Sequence, residues 1–269
     1  MKRPIQITIR VIVVLTILYI SGCALLYFFQ ESFLFFPNKL SADYKFQYPE
    51  TFEEVTIQTK DKTKLNALLF KADSSKGVIF FLHGNGGTLE SWGNIAPPYL
   101  ALHYDVFALD YRSYGKSEGK IFSEEQFFSD AQTAYDTLKK HYSEDKIIVL
   151  GYSIGTGTAA MLASINKPKQ LILQAPYYSL TDVMQHHLPF LPGLILKYKF
   201  ETYKYLEQTK VPVAIFHGNK DRTIYYESSV KLKNHLKPGD MVTILDGQAH
   251  AGVNDNEVYL KWVKENLEH

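Results

Sequence analysis

The sequence predicts an open α/β domain with a mostly parallel central sheet flanked by helices, preceded by an apolar membrane segment. Three observations lead there. From residue 78 onward, short and continuously apolar runs alternate with longer amphipathic stretches, the pattern of strands buried between two helix layers. Before them, two extended segments flank a polar turn, which is a β-hairpin signal. Finally, the uncharged run from Val11 to Phe29 is long enough to cross a bilayer as a helix.

Taken in order, the chain starts with Lys2, Arg3 and Arg10 ahead of that run, and no further Lys or Arg occurs until Lys39. The basic flank is expected to stay in the cytoplasm, leaving the remainder on the outer side of the membrane, periplasmic or cell-envelope in a bacterium. A second route to the membrane is open. Ile20-Ser21-Gly22-Cys23 resembles a lipobox, in which signal cleavage leaves a lipidated N-terminal cysteine, although the residues that follow are aromatic rather than polar. Residues 1–29 are thus an anchor or a lipoprotein-type signal, and residues 30–49 read as an aromatic neck.

The catalytic-sized body covers residues 50–269. Glu53–Thr59 and Leu65–Phe70 form the hairpin around Lys60–Lys64, and the buried runs are 78–82, 106–109, 147–150, 171–173, 213–216 and 242–245. Residues 122–142, 154–165, 226–236 and 254–267 read as helices. Apolar residues make up 46% of the 269-residue chain and charged ones 21%, which suits a folded core rather than disorder. A net charge of +1 gives no footprint for nucleic acid. The nine histidines are scattered, and the single cysteine lies in the apolar run, so no metal site is expected and no internal disulfide can form.

In open α/β sheets ligands bind beyond the carboxyl ends of the strands, so the residues after each run carry the chemistry. After 147–150 comes Gly151-Tyr152-Ser153-Ile154-Gly155, a G-x-S-x-G between strand and helix. Such a turn projects the Ser153 hydroxyl above the sheet, while side chains at the flanking glycines would collide with the neighbouring strand or helix. Run 78–82 ends in His83-Gly84-Asn85-Gly86-Gly87, a loop able to bring a backbone amide to a developing oxyanion. The two donors are expected to be Ile154 and Asn85, with Gly86 as the alternative to Asn85. His83 reads as a structural group of this loop.

The acid should follow the serine and the base should come last. Asp221 follows the strand 213–216, and His250 follows 242–245, each a few residues beyond a strand end. Asp182 is the rival acid and His217 the rival base. Asp110 comes too early and is expected to anchor its own turn; Asp246 lies too near His250. His103, His141, His186, His187, His235 and His269 fall on helix ends, in an insertion or at the terminus.

With these motifs assembled, the sequence resembles the α/β-hydrolase superfamily over residues 50–267, and more narrowly the small membrane-anchored serine hydrolases related to eukaryotic protein depalmitoylases. The resemblance rests on His83–Gly87, Asp110-Tyr111-Arg112 with Tyr114–Ser117, Gly151–Gly155, His217-Gly218 with Asp221, and His250. It implies an α/β-hydrolase fold of eight strands with one early antiparallel member. Two departures stand out: Ser113 occupies a turn position where glycine is usual, and Ala249 precedes His250 where glycine is common.

The implied chemistry is hydrolysis of an ester or thioester bond, on an acyl or lipid-like substrate, by two-step acyl transfer without a cofactor. A peptidase, or a non-catalytic binding module on the same fold, are the alternatives. Residues 176–208 read as a short cap whose apolar run, residues 187–196, either lines an acyl pocket or packs as a connecting helix. The two routes to the membrane separate on one substitution. Cys23→Ala should leave intact mass and membrane partition unchanged if the helix spans uncleaved. It should abolish a diacylglyceryl mass increment and accumulate precursor if Cys23 is lipidated.

Overall fold

The computed structural model describes residues 2–268, with the side chains of Lys2 and Arg3 outside the description. The side chains of those two members of the expected basic flank, and the whole of His269, therefore lie outside the description. Helix α1 (Lys2–Phe29) runs through the whole N-terminal segment, with Pro4 in its first turn, where a missing N–H costs nothing. Within Pro4–Phe29 the most apolar stretch of 18 residues has a mean hydropathy of 2.4, and none of it is buried inside the rest of the protein. A helix of 28 residues is about 42 Å long, more than a hydrocarbon core of ~30 Å. This is consistent with membrane anchoring.

Beyond α1 and the single turn α2 (Glu31–Leu34), an eight-stranded sheet forms in the order β1-β2-β4-β3-β5-β6-β7-β8. Its strands are β1 (Phe52–Gln58), β2 (Lys64–Phe70), β3 (Gly77–Leu82), β4 (Tyr104–Leu109), β5 (Ile147–Tyr152), β6 (Gln170–Gln174), β7 (Val213–Gly218) and β8 (Met241–Leu245). Strand β2 pairs antiparallel with both β1 and β4, and β3 to β8 are parallel, so the one early antiparallel strand is β2. The alternating pleat sends successive side chains to two cores. Val78, Phe80 and Leu82 of β3 face one apolar cluster, while Ile79 and Phe81 face the other.

Helices α5 (Glu124–Leu138), α6 (Gly155–Ile165) and α8 (Thr202–Gln208) cover the first face. Helices α3 (Leu89–Trp92), α4 (Pro97–Leu100) and α10 (Glu257–Leu267) cover the second. Helix α7 (Leu180–His187) lies with α8 in the segment between β6 and β7, where the sequence indicated a cap, and α9 (Glu227–Leu232) follows β7.

Two features differ from a simple reading of the chain. Residues 30–49 are not a free linker. Gln30, Phe35 and Phe46 are buried, and Lys39 forms a bridge with Gly115 that is flanked by the Gly115 amide donating to Asn38. The Ser113 departure is absorbed without loss of the turn: Ser113 takes φ 71°, the left-handed region where glycine is favoured, and its hydroxyl donates to the Gly119 carbonyl.

The next residue back in that loop, Arg112, ties three distant elements together. Its guanidinium bonds both oxygens of Asp130 on α5 and both oxygens of Asp61 in the hairpin turn, and also reaches Thr63. Arg112 and Asp130 are buried, whereas the Asp61 side chain is half exposed. Removing the cation strands the Asp130 carboxylate in the interior. Arg112→Ala is therefore expected to lower unfolding free energy by about 3 kcal/mol or more, most of it from Asp130. Arg112→Lys, which keeps the charge but not the planar fork, should fall between. Chemical denaturation checks this, and a shift below about 1 kcal/mol for Arg112→Ala would remove the keystone role.

Candidate active site

Ser153 sits one residue after β5 with φ 51°, a left-handed conformation for a residue with a side chain. The turn closes because its neighbours have no side chain. A Cβ at Gly155 would lie 2.1 Å from the Leu82 carbonyl oxygen, and one at Gly151 would lie 2.7 Å from the Ala159 Cβ. Helix α6 can thus start hard against the end of β3. The Ser153 amide donates to Gln174 on β6 and the Thr156 amide to the Ser153 carbonyl, fixing both sides of the turn.

The serine hydroxyl lies 3.0 Å from His250 Nε2, and His250 Nδ1 lies 2.6 Å from Asp221 Oδ2. Because the carboxylate can only accept, Nδ1 is assigned the proton, leaving Nε2 free to accept from the serine. These three groups come from the ends of β5, β7 and β8, 97 and 29 residues apart along the chain. Ala249 keeps an ordinary backbone; the left-handed positions in this loop are Gly247 at 69° and Gly252 at 84°. A glycine before the histidine is not required here.

Asp221 is held on every side. Its Oδ1 accepts from the Thr223 and Ile224 amides, and its Oδ2 lies 3.2 Å from His217 Nε2 besides its bond to His250. Burial alone would push the carboxyl up, but hydrogen bonds from His217, His250 and the Ile224 amide outweigh it and hold it well below the usual carboxylate range. Since the folded value lies under the unfolded one, this carboxylate contributes stability above about pH 4 and loses it as pH falls further. Through the neutral range it remains an anion.

The rivals are placed elsewhere. His217 is fully buried, with Nδ1 against the Ser229 hydroxyl and Nε2 against the Ile224 carbonyl, so it braces the acid loop. Asp182 accepts from Tyr225 and from Lys231, away from the histidine. Asp246 accepts from Asn219. Asp110 is buried under the loop after β3, accepting from the Leu89 amide with His83 Nε2 at 3.4 Å. His83 itself donates to the neighbouring Gly84 carbonyl and packs on Tyr111.

The loop Gly84–Gly87 is clamped by groups the motif reading did not single out. The Asn85 side chain donates to the Leu34 carbonyl, while its Oδ1 accepts from the Phe36 amide and the Tyr114 hydroxyl. Trp92 donates through Nε1 to the Gly86 carbonyl. Among the described residues, no protein acceptor takes the amides of Asn85 or Ile154. Tyr152, the variable residue before the serine, donates its hydroxyl to the His250 carbonyl, and its ring packs on Trp92. No local pattern points to these contacts, because their partners lie 51, 29 and 98 residues away.

Comparison with known proteins bears on the fold. Residues 77–202 match the family model described as the alpha/beta hydrolase fold. The chain is similar to Protein bem46 of Schizosaccharomyces pombe, 31% identical over 64% of this chain and 62% of that one. It is also similar to the mouse alpha/beta hydrolase domain-containing protein 17C, 29% identical over 72% of this chain and 59% of that one. The matched region spans less than two thirds of the length of both relatives. Among solved structures, an esterase of Pyrococcus furiosus superposes with a TM-score of 0.70 at 20% identity, covering 85% of this chain and 94% of its own. The chain thus has the α/β-hydrolase fold, and its sequence is similar to members of that superfamily.

Proposed function

We propose that the protein is a serine hydrolase that cleaves ester or thioester bonds of acyl or lipid-like substrates at a membrane surface. One observation carries the reading: the continuous hydrogen-bond chain Asp221–His250–Ser153 at the carboxyl ends of three strands. In the first step, His250 Nε2 takes the serine proton as Oγ attacks the acyl carbonyl. Asp221, kept ionised by its surroundings, orients the ring and stabilises the imidazolium that forms. The amides of Ile154 and Asn85 donate to the oxyanion, where donors fixed in advance need no reorganisation. His250 then gives its proton to the leaving oxygen or sulfur. Water, deprotonated by the same imidazole, attacks the acyl-enzyme, and His250 returns that proton to Ser153 Oγ as the acid is released. This sequence calls for no cofactor or metal.

The ester side of the proposal is supported by the fold shared with a solved esterase. The lipid side is supported by α1. With the basic flank of α1 on the cytoplasmic side, the catalytic domain works on the outer side. The assembled triad favours catalysis over a non-catalytic binding role, and a serine whose base is already in hydrogen-bond contact should react with a fluorophosphonate probe.

Ser153→Ala and His250→Ala should each lower turnover of a p-nitrophenyl ester by on the order of 10³-fold or more without unfolding the protein, and combining them should add little. Near-normal turnover in His250→Ala would rule out this base. Asp221→Asn should preserve the fold yet cost a comparable factor, because the carboxylate that fixes the tautomer is gone. Asp182→Asn should leave turnover close to wild type. Steady-state kinetics on the purified variants decide between the two carboxylates, and a reversed order would move the acid to the segment after β6.

A further inference from the structure

An apolar cavity of about 240 Å³ lies between the end of α1 and the segment after β6. Leu26 and Leu34 form its membrane side, and Val183, Met184, Leu191 and Ile195 form the other. A dry cavity of about 150 Å³ lined by such residues already accepts a benzene-sized guest, so this space exceeds a packing defect. Its polar member, Gln30, is fully engaged: the amide nitrogen donates to Tyr27 and Ile195, and the oxygen accepts from the Lys197 amide. A charged guest would find no partner there. An alkyl chain would need none.

Both walls are fastened to the catalytic loops. Leu34 lines the cavity and its carbonyl accepts from the Asn85 side chain, whose own amide is the proposed oxyanion donor. On the other wall, α7 ends at His187, whose Nε2 lies 3.1 Å from the Thr223 carbonyl, two residues from Asp221. The cavity also lies beside the apolar surface of α1. The Tyr19 hydroxyl donates to the Phe190 carbonyl at 2.7 Å. Tyr19 lies ten residues before the end of α1, about 15 Å along the helix axis. With α1 in a bilayer, the stretch around Phe190 is therefore immersed beside it. That stretch is built for immersion, since Leu188, Phe190 and Leu194 are exposed and residues 188–196 carry no charge.

We propose that this cavity receives the acyl chain of the substrate laterally from the bilayer, so that the membrane helix is one wall of the acyl-binding site. The inference rests on the serine-hydrolase reading above and adds where the chain of the substrate lies and how it arrives. A chain already in the bilayer gains nothing further from leaving water, so the cavity acts by room and shape: a palmitoyl chain has to occupy it, whereas a butyryl chain does not. Filling the space should therefore penalise long acyl chains far more than short ones.

The test uses the full-length protein in phosphatidylcholine nanodiscs, with p-nitrophenyl palmitate and p-nitrophenyl butyrate as probes. Met184→Trp on one wall and Leu26→Trp on the other should each lower the palmitate-to-butyrate ratio of kcat/KM at least tenfold. Gln185→Trp, equally bulky but on the exposed side of α7, should leave the ratio unchanged. Fluorophosphonate titration counts intact sites in each variant, and if Met184→Trp fails to label, Val183→Phe is read in its place. A diazirine-bearing palmitate gives a readout independent of hydrolysis: it should crosslink to residues 180–196 in wild type and lose that product in Met184→Trp. An unmoved ratio in fully labelled variants, or wild-type crosslinks confined to residues 5–20, would overturn the cavity assignment alone. Absence of both ester hydrolysis and probe labelling in wild type would instead overturn the serine-hydrolase reading, while the crosslinks still judge the cavity.

Discussion

The close approach of α6 to the end of β3 is the constraint on which the rest of the site depends. It is possible because Gly155 presents no side chain to the Leu82 carbonyl. That contact forces the sharp turn at Ser153 into a left-handed conformation, and it sets the first turn of α6 beside the loop that begins at His83. The serine and both proposed oxyanion donors are thereby placed by one backbone packing event, before any side-chain hydrogen bond is counted. Strain of order 1–3 kcal/mol at such a residue persists only where the surroundings over-determine it. Here the Ser153 amide bond to β6, the Thr156 amide bond to the Ser153 carbonyl and the buried glycines supply that determination.

A second tier of residues holds the moving parts of the chemistry in register. His217 and two amides fix Asp221, so the carboxylate has little freedom to turn away from His250. Tyr152 holds the backbone of the His250 loop from the residue next to the nucleophile, so base and serine share a support. Asn85 plays the corresponding part for the loop after β3, with the added property that two of its three partners belong to the segment leading from α1. Arg112 does the same at larger scale, joining hairpin, loop and α5.

Much of this was legible in the sequence. Strands β3 to β7 announce themselves because burial on both faces demands runs such as Val78–Leu82 and Ile147–Leu150. The partly buried edge strand β8 keeps a short apolar run, and the candidate triad is legible because each member follows such a run. The hairpin β1–β2 was legible from its turn. What stayed hidden is what depends on distant partners. The short helices α3 and α4 are too brief to show a period. Tyr152 occupies a position the G-x-S-x-G pattern leaves open. Residues 30–49 read as a neck because aromatic residues without periodicity carry no fold signal, yet Phe35 joins the core by stacking on Phe127 and Tyr198. The glycine expected at position 113 was a correct reading of the backbone and an incorrect reading of necessity, since a serine bears the left-handed conformation there.

The packed segment between Gln30 and Phe46 has a consequence for how the domain would sit on any membrane that α1 enters. A loose tether would let the domain take any orientation above the lipid. With Gln30, Phe35 and Phe46 buried against the domain, and with Glu31 bonded to Lys197 and Tyr198, α1 and the catalytic body turn together. A membrane helix answers a change in hydrocarbon thickness by changing its tilt. Were α1 placed in a bilayer, such a tilt would rotate the mouth of the candidate site relative to the lipid plane, and bilayer thickness would then act on the geometry of that site.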